Sequence, residues 1–397
     1  MAESFTPKLV TVLREGYGFK DLRADAVAGL TVAIVALPLA MALGIASGAS
    51  PDRGLVTAVV AGFLISALGG SRVQIGGPTG AFVIVIFNVI AQHGYDGLIL
   101  ATMLAGAMLV VAGYAKLGKL IKFVPHPVVT GFTAGIAVII ASTQVRDFFG
   151  LAIDDVPAEF VPQWAAYLGA LDLVSLPALA IGAGSLALIV GLRKVSPSLP
   201  GYLIAIVAAS LAVAVLGLPV DTIGSRFPDM PSGLPMPSLP DLSLAKIQAV
   251  LPSAFTIAFL AGIEALLSAV VADGMAGTRH RSNQELVGQG VANIASSLFA
   301  GLPATGAIAR TATNIKAGGR SPMAGIFHAA FLLIFVLFAM DLMAYVPMAA
   351  LAAILFMVAL GMSEYERFIS LLRMPNGDRV VLLLTFLLTV FVDLTVA

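Results

Sequence analysis

Two charged side chains and two backbone breaks stand out in an otherwise apolar chain. Arg310 lies in Ala307-Ile308-Ala309-Arg310-Thr311, and Glu264 lies in Ala261-Gly262-Ile263-Glu264-Ala265. Arginine at the centre of a bilayer costs about 2.5–3.5 kcal/mol on insertion scales, so such a charge normally faces a cavity or a counter-ion. A guanidinium there offers one full positive charge to an anion. Its competing roles are a structural bridge to Glu264 or snorkelling to the interface. Glu264 is the only carboxylate well inside a span of the second half, and carboxylates in such positions serve proton relays. Its competing role is that of a permanently paired or protonated packing residue. Ser268, at i+4, shares its helix face.

The breaks are Gly76-Gly77-Pro78-Thr79-Gly80 and Gly301-Leu302-Pro303-Ala304-Thr305-Gly306. Each opens an apolar run too short to cross a bilayer alone, 79–92 and 306–315. Broken backbone inside a membrane is tolerated only where protein buries it or where it lines a wet cavity. A helix that starts there points unpaired N–H groups and a positive dipole end into that space. Thr79 and Thr305 are the expected N-caps, their hydroxyls accepting an N–H two or three residues on. Two half-helix N-termini meeting at the midplane make an anion site without metal or cofactor. The plainer alternative is that Gly and Pro, common in membrane helices, merely kink these segments.

The elements that must hold these groups are membrane helices. Of 397 residues, 59% are hydrophobic and 11% charged, against about 25% charged in a soluble protein, and mean hydropathy is +1.00. A span needs about 20 apolar residues. Runs near 25–47, 54–69, 79–92, 97–115, 127–145, 174–192 and 200–217 form one set. Runs near 249–272, 285–300, 306–315, 323–340 and 345–361, an amphipathic stretch Ser363 to Arg373, and 380–397 form a second. Balanced charge argues against a nucleic-acid partner, and the absence of cysteine excludes disulfides and thiolate chemistry. The four histidines have no ligand spacing, no GxSxG occurs, and the GxxxxGK of Gly113 to Lys119 is followed by Leu120 and follows no strand. Neither a metal site nor an enzyme is expected. Asn88, Gln144 and Asn293 are read as interhelical hydrogen-bonding residues, and Gly131-x-x-x-Gly135 as a close-packing motif.

A Pro/Gly-rich stretch divides the chain into two halves of the same plan. The expected organisation is 1–24, a cytoplasmic N-terminal amphipathic segment; 25–217, the first repeat; 218–248, an extracellular connection; and 249–397, the second repeat. With the N-terminus inside, the loops holding Lys116, Lys119 and Lys122, Arg193 and Lys194, Arg279 and Arg281, and Lys316 and Arg320 are all cytoplasmic, as the positive-inside rule asks. Opposite loops are acidic (Asp147, Asp154, Asp155, Glu159) or poor in Lys. One half enters from the cytoplasm and the other from outside, so the repeat is inverted. The chain stops at Ala397 while still apolar, which reads as a cut inside the last helix or hairpin. The expected location is the cytoplasmic (inner) membrane.

Ala28-Gly29-Leu30-Thr31-Val32-Ala33-Ile34-Val35-Ala36-Leu37-Pro38 resembles the first-span signature of the sulfate permease (SulP) family of anion transporters. So do Gly76-Gly77-Pro78-Thr79-Gly80, Asn283-Gln284-Glu285-Leu286, Gly290-x-x-Asn293, and Pro303-Ala304-Thr305-Gly306 with Arg310. The resemblance implies an all-α fold of seven plus seven inverted segments, with core and gate domains and substrate between half-helices 3 and 10. It implies homodimers and a cytoplasmic STAS domain after the last helix, which this chain lacks. By carry-over, Thr79, Gly80 and Ala81 line one wall of the site, and Ala307, Ile308, Ala309 and Arg310 the other. Leu39 and Leu43 contact substrate from the first span. Many members have Gln where this chain has Leu39, which weakens the case for sulfate and leaves room for organic anions. Glu264 stands where proton-coupled members resemble one another, and sodium-coupled relatives tend to offer Asp.

The expected function is therefore proton-coupled symport of a small anion by alternating access. Dicarboxylate, bicarbonate and sulfate are the candidate substrates in that order. An uncoupled exchanger or channel on the same fold is the first alternative, and a nucleobase permease the second, against which Arg310 argues.

Overall fold

In a computed structural model the chain is described for residues 5–118, 125–153, 156–157, 159–196, 199–231, 233–374 and 376–391. Lys119, Lys122, Asp154 and Asp155 lie outside the described residues. The helices of the first half are α1 (Lys8–Gly16), α2 (Phe19–Ala46), α3 (Pro51–Leu68), α4 (Val83–Tyr114), α5 (His126–Phe149), α6 (Phe160–Gly169), α7 (Leu176–Val195) and α8 (Gly201–Leu216). A short α9 (Ile223–Arg226) leads to α10 (Leu244–Ala276), α11 (Ser282–Leu298), α12 (Ile308–Lys316), α13 (Met323–Phe338), α14 (Met348–Met362), α15 (Tyr365–Leu372) and α16 (Asn376–Phe391). Strands β1 (Gly76–Gly77) and β2 (Thr305–Gly306) stand at the two breaks.

Each expected apolar run is helical over its described residues, with ends shifted by a few residues; 392–397 of the last run lie outside the described residues. Seven helical runs among the described residues are long and apolar enough to cross a membrane. The helical run of α4 holds two of the expected segments, because Gly94 interrupts it with φ 70° and ψ 179°. The stretch Lys8–Gly16 is helical, as the charged, amphipathic start suggested. It is fastened by Lys8 N–H to the Gly69 carbonyl (3.0 Å) and by Arg281, which donates to the Thr6 carbonyl and Thr11 Oγ1. Burial, with Arg281 and Arg72 nearby, holds the Lys8 ammonium below the usual lysine range.

The chain forms two compact units that cut across the sequence halves: Met1–Phe123 with Pro231–Met340, and Val124–Met230 with Asp341–Ala397. In the first unit α2 packs on α3 and α13, while α10 packs on α4 and α11, and α3 and α4 also meet α11. The packing is that of a repeat: α2, α3 and the two parts of α4 correspond to α10, α11, α12 and α13. Close approach of α4 and α11 depends on Gly106 and Gly290, where a methyl group on either would lie 2.5–2.6 Å from the other's carbonyl oxygen.

In the second unit α5 packs on α14, α16 and α7, and α14 on α7 and α8. The close-packing motif holds: Gly131 lies against Leu382 and Thr385, and Gly135 against Thr389, all on α16. Arg226 grips Asp147 with two bonds, 3.1 and 2.8 Å. By the repeat α5 and α7 correspond to α14 and α16.

Candidate functional site

The two breaks meet each other. Gly76-Gly77 runs antiparallel to Thr305-Gly306, with Gly76 opposite Gly306 and Gly77 opposite Thr305. The Ala307 N–H adds a further bond to the Ile75 carbonyl at 2.8 Å. From this patch one chain passes through Pro78 and Thr79 into a 3-10 turn (Gly80–Phe82) and α4, and the other through Ala307 into α12. The first N–H groups of each helix have no acceptor within their own helix. Two such N-termini therefore start from one pair of joined strands.

The threonines do not cap these helices, contrary to expectation; no side-chain cap is formed at either start. Each hydroxyl reaches α10 instead. Thr79 Oγ1 donates to Glu264 Oε2 at 2.9 Å, and Thr305 Oγ1 donates to the Ala261 carbonyl at 2.9 Å. Gln74 Nε2 donates to the Ala265 carbonyl at 3.3 Å. The strand pairing is the physical reason, since it carries both breaks onto one stretch of α10. Thr311 Oγ1 accepts from the Ile75 N–H at 3.0 Å and lies 3.5 Å from Ser268 Oγ. Ser268 thus faces α12.

Arg310, in the first turn of α12, is 2% exposed. Its Nη2 donates to the Pro78 carbonyl, so the side chain of one break crosses to the backbone of the other. Nε and Nη1 have no partner among the described residues. No ion pair joins Arg310 to Glu264, which rules out the direct bridge, although their charges are close enough to interact. The guanidinium lies over Gly77, where a Cβ would strike Nη1, and the φ of 149° there also favours glycine. A Cβ on Gly306 would likewise strike the Gln74 side chain.

Thr79, Gly80, Ala81 and Ala307 are buried at this junction, whereas Ile308 and Ala309 are exposed at the start of α12. Leu39 and Leu43 sit one turn apart in α2, buried, in the same unit; α2 packs on α12. The sequence reading missed Gln74, Thr311 and the Pro78 carbonyl, whose roles come from pairing between distant segments. Asn293 clamps the second break, donating to the Ala304 carbonyl and accepting from the Ala304 N–H, both at 2.8 Å. The run Asn283-Gln284-Glu285 holds neighbouring turns: Asn283 accepts from Gly118 N–H, Gln284 donates to the Leu68 carbonyl, and Glu285 accepts from Gly70 and Ser71 N–H. Asp25 fixes the loop after α12, accepting from the N–H groups of Arg320 and Ser321.

Residues 22–385 match the model of the sulfate permease family. The chain belongs to the sulfate permease family. A putative sulfate transporter of Bacillus subtilis, YvdB, is 45% identical over 384 residues, covering 96% of this chain and 72% of that protein. The bicarbonate transporter BicA of Picosynechococcus is 33% identical over 398 residues, 96% of this chain and 68% of that one. The transmembrane domain of a cyanobacterial bicarbonate transporter BicA superposes with a TM-score of 0.86 at 32% identity, covering 96% of this chain and 99% of that one. The murine solute carrier 26 family member A9 anion transporter, in its inward-facing state, gives a TM-score of 0.88. At 17% identity, over 98% of this chain and 68% of that one, it speaks for the fold alone. This sulfate permease family member is an integral membrane anion transporter and not an enzyme. Its fold is the seven-plus-seven inverted repeat.

Proposed function

We propose that this transporter carries sulfate or bicarbonate together with protons by alternating access. The anion would be held at the joined N-termini of α12 and the Gly80–Phe82 turn. The observation that supports this most is Arg310: a buried guanidinium bonded across the two breaks, with Nε and Nη1 unpartnered. Charge-assisted bonds to an oxyanion are the strong ones, and exposed Ile308 and Ala309 border the same helix start. Leu39 and Leu43 are assigned to the wall of the site from α2. Glu264 is the proposed proton-coupling group. It is bonded to Thr79 of one wall and within electrostatic reach of Arg310 in the other. The names of the relatives move dicarboxylates behind sulfate and bicarbonate.

The repeats are assigned to 25–217 and 249–397, joined by 218–248 outside, with the N-terminus in the cytoplasm, a homodimeric assembly and the inner membrane as location. The unit holding both breaks is assigned as the core. Uncoupled exchange is the second reading: Thr79 already donates to Glu264, so the carboxylate has a static partner. Uptake of labelled sulfate, bicarbonate and dicarboxylates into proteoliposomes, with and without an inward proton gradient, tests both. Accumulation of one anion only with the gradient supports symport; gradient-independent exchange supports the second reading.

A further inference from the structure

Ala58, Gly62 and Ser66 follow one another at one-turn intervals along a single face of α3. Two polar side chains face this stripe. At the Ala58 level lies Arg310: a methyl group on Gly77 would strike Nη1 and stand 3.5 Å from Ala58 Cα. One turn on lies His328 of α13: a methyl group on Gly62 would stand 3.8 Å from its Cε1 and Nδ1, and 3.2 Å from the Gly76 carbonyl oxygen. At the third level Ser66 Oγ abuts Gly325, one turn before His328 on α13.

Arg310, His328 and Ser66 are 2%, 0% and 3% exposed. Arg310 Nε and Nη1, both ring nitrogens of His328 and Ser66 Oγ have no hydrogen-bond partner among the described residues. Buried polar groups are almost always bonded, to protein or to ordered water, and a buried water typically makes about three bonds to such groups. Ala58 and Gly62 put nothing larger than a methyl group beside Arg310 and His328. One helical turn is about 5.4 Å, which two hydrogen bonds of about 2.8 Å placed end to end can span.

We propose that this seam between α3, α12 and α13 is a water-binding site, in which ordered water bridges the Arg310 guanidinium to His328. A neutral imidazole has one bare nitrogen and one N–H. The bridging water accepts from Nη1 and donates to the bare nitrogen, leaving Nε for the anion. Ser66 Oγ serves a second water on the other side of the ring. His328 is then a positioning residue for Arg310. This role rests on Arg310 being the anion site; the hydration of the seam does not.

Two measurements on the full chain separate these points. Pulsed radiolysis in ¹⁸O-labelled water oxidises side chains that touch bound water. We expect His328 to be oxidised despite its burial, with slow exchange of the label. Unmodified His328 beside labelled surface residues would overturn the hydrated seam. The second measurement is affinity for whichever of sulfate and bicarbonate is transported. His328→Gln, which keeps a donor and an acceptor, is expected to stay within about threefold of the parent, and His328→Leu to lose about tenfold, the scale of one lost hydrogen bond. Parental affinity in His328→Leu, with raised thermal stability, would mark a dry packing residue and overturn the positioning role. If Arg310→Ala also leaves affinity unchanged, the anion-site reading fails, while the labelling result still decides the water.

Discussion

Thr79 donates its hydroxyl hydrogen to Glu264 across 2.9 Å, which joins the first break directly to α10 of the other repeat. The proposed proton group is thus bonded to one wall of the proposed anion site. Binding of either can act on the other without a long relay, and by linkage each must strengthen the other by the same factor.

Glu264→Gln holds the side chain permanently uncharged. This variant is expected to bind and exchange anion but not to accumulate it under an inward proton gradient. Proteoliposome uptake checks this, and undiminished proton-driven uptake would move the coupling group elsewhere.

Thr79 supplies the bond, so its hydroxyl is expected to matter more than its shape. Thr79→Ser should keep proton-driven accumulation. Thr79→Val, nearly isosteric, should weaken it, since a hydrogen bond to a charged group contributes roughly 1.5–3 kcal/mol. Equal coupling in both variants would reduce Thr79 to a packing residue.

Gly77→Ala puts a methyl group into the Arg310 guanidinium and a side chain on a backbone with φ 149°. Overpacking of this kind costs about 1–3 kcal/mol. A lowered unfolding temperature together with weakened anion binding is expected; unchanged values for both would mean the guanidinium does not rest on Gly77.

Much of this was legible in the residues. Apolar runs gave the helices because a span must be apolar over its whole length, and the Pro-Thr-Gly breaks marked the two short helices. Arg310 and Glu264 stand out because charge is rare in such runs. What could not be read was how the breaks meet. Pairing of Gly76 with Gly306 joins segments far apart in the chain, and no local propensity encodes that register. Thr79 and Thr305 looked like N-caps because their local pattern is that of caps; the tertiary pairing turned both hydroxyls to α10. His328 stands in the sequence as one of four scattered histidines, and only the fold sets it one turn of α3 from Arg310.

Topology is checked with single cysteines, which the native chain lacks. Position 116 should label from the cytoplasm and position 159 from outside. Both are exposed among the described residues. Labelling of both from one side would contradict the assigned orientation of the repeat.

The central claim is that Arg310 holds the anion at the junction of the two breaks. Affinity of the purified protein for the transported anion, measured by titration calorimetry on Arg310→Ala and Arg310→Lys, tests it most directly. The Ala variant is expected to bind about ten- to a hundredfold more weakly. The Lys variant should recover part of the loss, keeping the charge without the planar fork. A folded Ala variant with parental affinity would contradict the account and remove Arg310 from the site.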